Sequence, residues 1–444
     1  MSLQKILLKI AIFVRKYASK SKFLWSKIQK LQNILLKNKL RNYLMQSNVS
    51  SEELAKRSPE TKKVGINLIG YAKAESGLGY SLRLMGKSLE TTSIPWTMYN
   101  FETLNPARKN DNTFQHKITN TAPYRYSIFH INAEQMPLAY EYILRDAWDA
   151  YRIGVWYWEL PAFPDQWLDR FQYVDELWVF SRFIQECLQK KAPCPVIYIT
   201  PSMILETPPP LAREHFHLPE NDFLFLTMYD TSSVQTRKNP MATIKAFQQA
   251  FPNNQKGVGL ILKINNAHLK QQEVMTLKKL TKENSNIYFI EEILPRQKLD
   301  QLYQMSDAIV SLHRSEGLGY LCLEGMYFGK PVIATNWSGN IDFMDHDNSC
   351  LVDYDLIPVE NSAGPYKIDH TDQIWAEAKV EHAAQYMKRL YEDKEYREKI
   401  EKNAYSSIRT KYTPEISGKQ MQERIQYLEE HELYNKKSIN TIKK

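Results

Sequence analysis

The chain has 444 residues, long enough for two domains, and with 43% hydrophobic and 24% charged residues it reads as an ordinary globular protein. A mean hydropathy of −0.50 and the lack of any uninterrupted apolar run of spanning length exclude a multi-pass membrane protein. The net charge of +8 is lopsided: residues 1–50 hold 11 Lys or Arg and no Asp or Glu, whereas the rest holds 47 basic and 50 acidic side chains, so a near-neutral body carries a basic arm.

From Leu3 to Met45 the arm has no Gly or Pro, and Ile6, Ile10, Val14 and Tyr17, then Leu24, Ile28, Leu31 and Leu35, recur at helical spacing. Lys9, Lys16, Lys20, Lys27, Lys30, Lys37 and Arg41 lie on the neighbouring arc. A cationic stripe beside an apolar one suits an anionic membrane surface, and residues 3–45 are read that way; a helix packed on the body or on a second subunit is the alternative. Leu and Ile among the basic residues argue against nucleic acid, and Lys9 interrupts any secretory signal. Gln46–Lys63 is a polar linker. Cys187, Cys194, Cys322 and Cys350 form no CxxC pair and read as reduced thiols of a cytoplasmic protein.

The first half alternates strand and helix. Lys63–Tyr71 is a buried strand, followed by the glycine turn Glu75–Tyr80 and a helix to Leu89; strands are expected at Trp96–Asn100, Tyr126–Asn132, Arg152–Tyr157, Glu176–Phe180 and Val196–Thr200, with helices at Pro164–Tyr173 and Arg182–Lys190. The proline-rich stretch Thr207–His215 marks a boundary. Strands then recur at Phe223–Tyr229, Gly259–Ile264, Ile287–Ile290, Ala308–Leu312 and Pro331–Thr335, with helices at Pro240–Ala250, Leu299–Ser306 and Glu324–Phe328. After Trp375 the chain is expected to be helical apart from a gap near Tyr412–Gly418. The domain reading is arm and linker 1–62, a first Rossmann-like domain 63–206, a second 207–400, and helices 401–444 crossing back to the first.

The chemistry concentrates in Ser311–Gly339. Glu316 precedes the turn Gly317–Leu318–Gly319–Tyr320, and Glu324 follows after seven intervening residues. Backbone N–H groups at such a glycine turn approach an anion closely, and carboxylates accept hydrogen bonds from hydroxyls; together they describe a nucleotide-sugar pocket. With Gly329–Ala334 (GKPVIA) and the loop Asn336–Asn340, this stretch resembles retaining glycosyltransferases of the GT-B fold, family 4 (glycosyl transferases group 1). The resemblance implies two Rossmann-like domains facing across a cleft. It places Glu316 on the donor sugar, Glu324 on the ribose, and Asn336, Ser338 and Gly339 in the sugar loop. It implies a UDP- or GDP-sugar donor, a glycan or lipid-linked acceptor and retention of anomeric configuration, in cell-surface polysaccharide or glycoconjugate synthesis at the inner face of the cell membrane. A non-catalytic GT-B scaffold serving a partner transferase is the alternative, and a homo-oligomer is left open.

Arg237 and Lys238, after the first strand of the second half, are placed to neutralise the diphosphate. The resemblance places the glycine loop with Gly77 and Gly79 against the donor phosphate or the acceptor. The family's usual His at the end of a late first-domain strand is missing, and Glu159 or Trp158 stands there; Glu159 is the candidate for a sugar or acceptor hydroxyl. His130 ends another strand and reads as structural more readily than catalytic. No cofactor or metal is expected, and the triplets Asp345–Asp347 and Asp353–Asp355 are read as turns.

Overall fold

Lys63–Gly70 (β1) is an apolar run whose last six residues are buried, the mark of a strand covered on both faces. The computed structural model describes Leu54 and residues 57–103, 105–359, 366 and 373–435. The basic arm expected over 3–45, most of the linker, and Gly364 and Pro365 lie outside these residues.

Ser76 accepts a hydrogen bond from the Gly79 N–H and starts helix α1 (Gly77–Glu90) directly beyond the end of β1. Strands β2 (Trp96–Asn100), β3 (Tyr124–His130), β4 (Tyr151–Val155), β5 (Glu176–Val179) and β6 (Val196–Tyr198) complete a parallel sheet in the order β2-β1-β3-β4-β5-β6. Ser181 caps helix α2 (Arg182–Gln189) in the way Ser76 caps α1. Asp165–Tyr173 winds as a 3-10 helix.

The second sheet repeats the plan with β7 (Phe223–Asp230), α3 (Pro240–Ala250), β8 (Val258–Asn265), α4 (Gln271–Leu280), β9 (Ile287–Ile290), α5 (Arg296–Met305), β10 (Ala308–Ser311), α6 (Tyr320–Tyr327), β11 (Val332–Thr335) and β12 (Cys350–Val352). Its order is β12-β11-β10-β7-β8-β9, again parallel. Helix α6 begins at Tyr320, four residues ahead of Glu324, because Gly319 takes a positive φ of 95° that ends the turn and opens the helix.

One expectation fails. Trp375 opens no helix; it lies in β14 (Ile374–Ala378), which pairs antiparallel with β13 (Tyr354–Pro358). Non-local pairing decides this segment, and Trp375 is fully buried in the aromatic core of the first domain. Helices α7 (Val380–Glu392) and α8 (Lys394–Lys411) follow, and Thr413 caps α9 (Pro414–Glu430), which starts inside the expected gap. No helix among the described residues is long and apolar enough to cross a membrane.

Helix α9 returns to the first domain. Gly418 sits against α1, where a Cβ would meet the Ser88 carbonyl oxygen at 2.3 Å. Arg424 grips the fully buried Glu176 with Nε 3.2 Å from both carboxylate oxygens and Nη2 2.5 Å from Oε2. Removing one partner of a buried pair strands the other charge. Arg424→Ala is therefore expected to cost about 3 kcal/mol, the low end for such a loss, because Trp178 and Tyr151 still donate to Glu176. Urea unfolding of the variant checks it.

Candidate active site

Open parallel sheets leave crevices beyond the carboxyl ends of their strands. Here two such crevices face one another and form a cavity of about 290 Å³. Gly77, Leu78, Asn132, Tyr157 and Glu159 line it from the first domain, and Arg237, Lys238, Glu316 and the turn Gly317–Tyr320 from the second.

Glu316 is held from both sides of its peptide unit. Its N–H donates to Ser338 Oγ at 2.8 Å, and its carbonyl accepts from the Gly339 N–H at 2.9 Å. Gly339 is required here, since a Cβ would meet the Gly317 carbonyl oxygen at 2.1 Å. The Glu316 carboxylate pairs with Arg237 Nη1 at 3.1 Å and with Lys238 Nζ. Burial opposes its ionisation, but Arg237 and then Lys238 outweigh burial and hold the carboxyl down at about 2. Arg237 is itself buried and oriented by the Ser315 carbonyl at 2.7 Å and Ser233 Oγ at 2.8 Å. Despite burial, Glu316, Tyr366 and Glu159 keep its guanidinium firmly protonated.

Glu159 meets this cluster from the other domain. Its Oε1 lies 3.9 Å from Arg237 Nη2, and its Oε2 accepts from the Tyr366 hydroxyl at 2.8 Å. The cavity wall thus carries two cations and two carboxylates. A dianionic ligand entering it would exchange carboxylate partners for its own oxygens on Arg237 and Lys238.

Several expected site residues stand elsewhere. Gly79 does not line the cavity; it faces the Ala74 and Tyr71 carbonyls, where a Cβ would come within 2.2 and 2.8 Å. Asn336, Ser338 and Gly339 do not line the cavity; Ser338 and Gly339 support the Glu316 loop from behind, and the Asn336 N–H donates to the Val352 carbonyl. Glu324 is buried beneath it, with Oε1 taken by Arg296 Nη1 at 2.7 Å and Oε2 by the Tyr303 hydroxyl at 2.6 Å. Both Glu324 carboxylate oxygens thus already accept a hydrogen bond within the protein. Trp158 is buried among Trp167, Phe163 and Tyr366 and presents no platform to a saccharide. Trp156 is core. The Asp triplets lie outside the cavity: Asp345 Oδ1 accepts from the Asp347 and Asn348 N–H groups in a turn, and Asp353 and Asp355 pair with His382 and Lys379. Among the described residues no cluster of three or more His, Cys, Asp or Glu side chains is arranged for a metal.

Sequence reasoning offered Asn132, with His130, as a strand end that could line the cleft and Tyr157 as one of the aromatics beside Glu159, but it gave Tyr366 no role. Asn132 and Tyr157 follow strand ends, a position that marks them once the strand boundaries are known. Tyr366 carries no local signal.

Residues 213–355 match the family model of glycosyl transferases group 1. No curated protein matches the sequence. Among solved structures, the chain resembles the Anabaena HepE protein in complex with UDP and glucose (TM-score 0.60, 14% identity, 82% of this chain and 100% of that one). It also resembles sucrose-phosphate synthase of Thermosynechococcus elongatus (0.59, 14%, 82% and 99%) and a glycosyltransferase of Rickettsia africae (0.58, 13%, 82% and 98%). At such identities the likeness is one of fold: two Rossmann-like domains across a cleft, the GT-B arrangement.

The Glu316 cluster has a pH signature. Its folded-state pKa lies below the ordinary value, so its stabilisation is complete above pH 4.5 and lost as pH falls toward about 2. Glu316→Gln should flatten the fall in unfolding free energy across that window, read by denaturant titration at each pH.

Proposed function

We propose that this chain, which carries a glycosyl transferases group 1 module at residues 213–355, transfers a sugar from a UDP- or GDP-sugar to a glycan or lipid-linked glycan, with retention of anomeric configuration. The observation that carries this reading is Glu316 held ionised between Arg237 and Lys238 on the wall of an interdomain cavity.

The donor diphosphate recruits Lys238 and Arg237, aided by N–H groups of the Gly317–Tyr320 turn at the start of α6. Lys238 thereby releases Glu316, whose carboxylate accepts a hydroxyl of the sugar. One exchange thus serves both halves of the donor. In the transfer the acceptor oxygen bonds to the anomeric carbon from the face that the leaving phosphate vacates. The bond to the phosphate oxygen breaks, and the acceptor's proton passes to that oxygen. Charge accumulating on the diphosphate is met by cations already in place, the main source of rate. Glu159, tied to Tyr366, is assigned to the acceptor side.

A panel of UDP- and GDP-sugars, scored by thermal shift and then by turnover, tests the reading. The preferred donor should stabilise the protein by about 2.7 kcal/mol at a hundred times its Kd. Glu316→Ala should lower turnover by at least tenfold, and product NMR should show the donor's anomeric configuration. Activity should persist in excess EDTA, with Arg237 and Lys238 serving the diphosphate in place of a metal. Turnover by Glu316→Ala at the wild-type rate contradicts the assignment, and a wild type inert toward every donor favours a scaffold role.

The basic arm is proposed to hold the enzyme on an anionic membrane surface, the inner face of the cell membrane, where a lipid-linked acceptor would lie. Screening shortens from about 10 Å at 0.1 M salt to about 3 Å at 1 M. The full chain should therefore sediment with anionic liposomes at low salt and far less at 1 M, and removal of residues 1–51 should abolish the binding. Equal binding with and without those residues contradicts the membrane role.

A further inference from the structure

Four side chains from both domains form a hydrogen-bonded run that the chemistry above leaves unused. His130, at the end of β3, has Nε2 2.9 Å from Ser81 Oγ on α1. Ser81 Oγ lies 2.6 Å from the Tyr157 hydroxyl, which in turn lies 3.3 Å from the Tyr320 hydroxyl across the cleft. Tyr157 and Tyr320 both line the cavity that holds Glu316.

The inner end of the run sets its direction. Burial lowers the His130 pKa to about 4, so the ring is neutral and carries one proton. Among the described residues its buried Nδ1 finds no hydrogen-bond partner beyond a contact with its own backbone. A buried N–H without an acceptor is rarer and costlier than a lone pair without a donor, which places the proton on Nε2. Nε2–H then donates to Ser81, Ser81 donates to the Tyr157 oxygen, and the Tyr157 proton is left to face Tyr320 and the cavity. At 3.3 Å the Tyr157–Tyr320 contact is longer than the roughly 2.7–2.8 Å of a good O–H···O bond. It is a bond that yields readily to a ligand oxygen.

The Tyr157 ring is fixed in place. Its backbone N–H donates to Asn132 Oδ1 at 2.9 Å, and its ring lies 5.9 Å from His130 and 6.1 Å from Phe180. It abuts Gly317, where a Cβ would stand 3.5 Å from Tyr157 Cδ1, immediately beside Glu316. An uncharged donor there suits a hydroxylated ring; the diphosphate is served by Arg237 and Lys238.

We infer that Tyr157 donates a hydrogen bond to the sugar of the donor, and that Ser81 and His130 are positioning residues that keep its proton turned toward the cleft. This rests on the nucleotide-sugar reading. The experiment compares wild type, Tyr157→Phe and Ser81→Ala in the full chain. Calorimetric Kd values are measured for UDP-glucose, UDP-N-acetylglucosamine and GDP-mannose against UDP and GDP, with turnover beside them.

For the donor that wild type prefers, Tyr157→Phe should weaken binding of the sugar nucleotide about tenfold, the loss of one hydrogen bond. The bare nucleotide's Kd should not move, and turnover should fall in parallel. Ser81→Ala, which removes a single oxygen, should shift the same ratio in the same direction by a smaller factor. It carries the test alone if Tyr157→Phe does not fold. An unchanged ratio, or equal weakening of the bare nucleotide, overturns the role of Tyr157 while leaving the nucleotide-sugar reading intact. A wild type that binds none of the five ligands overturns both.

Discussion

The cleft depends on how the chain passes between its two domains. It leaves the first after β6 and returns ahead of α9, and at that place the Met203 N–H donates to the Tyr412 carbonyl at 2.7 Å. The two crossings are thus bonded side by side. The Tyr412 hydroxyl donates to the Asp342 carbonyl at 2.7 Å, and the Asp342 carboxylate accepts from the Arg182 N–H that opens α2. Helix α9 is locked to the first sheet by Arg424 on Glu176 and by Glu429, which accepts from the Tyr126 hydroxyl.

With that geometry set, electrostatics shape the wall of the cavity. Four ionised groups share a partly dry space, and each has its charge met by another. Ion pairs are stronger where water is scarce, and stripping the charges of water is costly. Hydrogen bonds complete the cluster: Arg237 donates to the Ser315 carbonyl and to Ser233 Oγ, and the Tyr366 hydroxyl donates to Glu159.

A second bridge lies on the far side of the cleft. The hairpin β13–β14 belongs by sequence to the second half, yet Trp375 and Tyr366 are buried in the aromatic core of the first. Arg314 ties the hairpin back, with Nη2 2.5 Å from Glu377 and its guanidinium 5.3 Å from the Trp375 ring. Glu159 is thereby held by a residue of the opposite domain, so the first-domain carboxylate nearest Arg237 is placed by the second domain.

Much of this protein is local information. Runs of aliphatic and aromatic residues mark β1, β7 and β8 because strands covered on both faces need apolar side chains. Ser76, Ser181 and Thr413 mark helix starts because a hydroxyl before a helix satisfies an unpaired N–H. The Glu316–Gly319 turn is legible because a helix opening on an anion needs glycine there. Tertiary structure decided the rest. Gly79 and Gly339 are glycines for packing, since the carbonyls of Ala74 and Gly317 approach where a Cβ would stand. Glu324 is turned from the cavity by Arg296 and Tyr303, which lie on a helix whose approach no local pattern encodes. β13, β14 and the run from His130 to Tyr320 exist only once separate elements meet. Side-chain periodicity records what each segment buries, whereas a hydrogen bond between distant segments is fixed by the packing that brings them together.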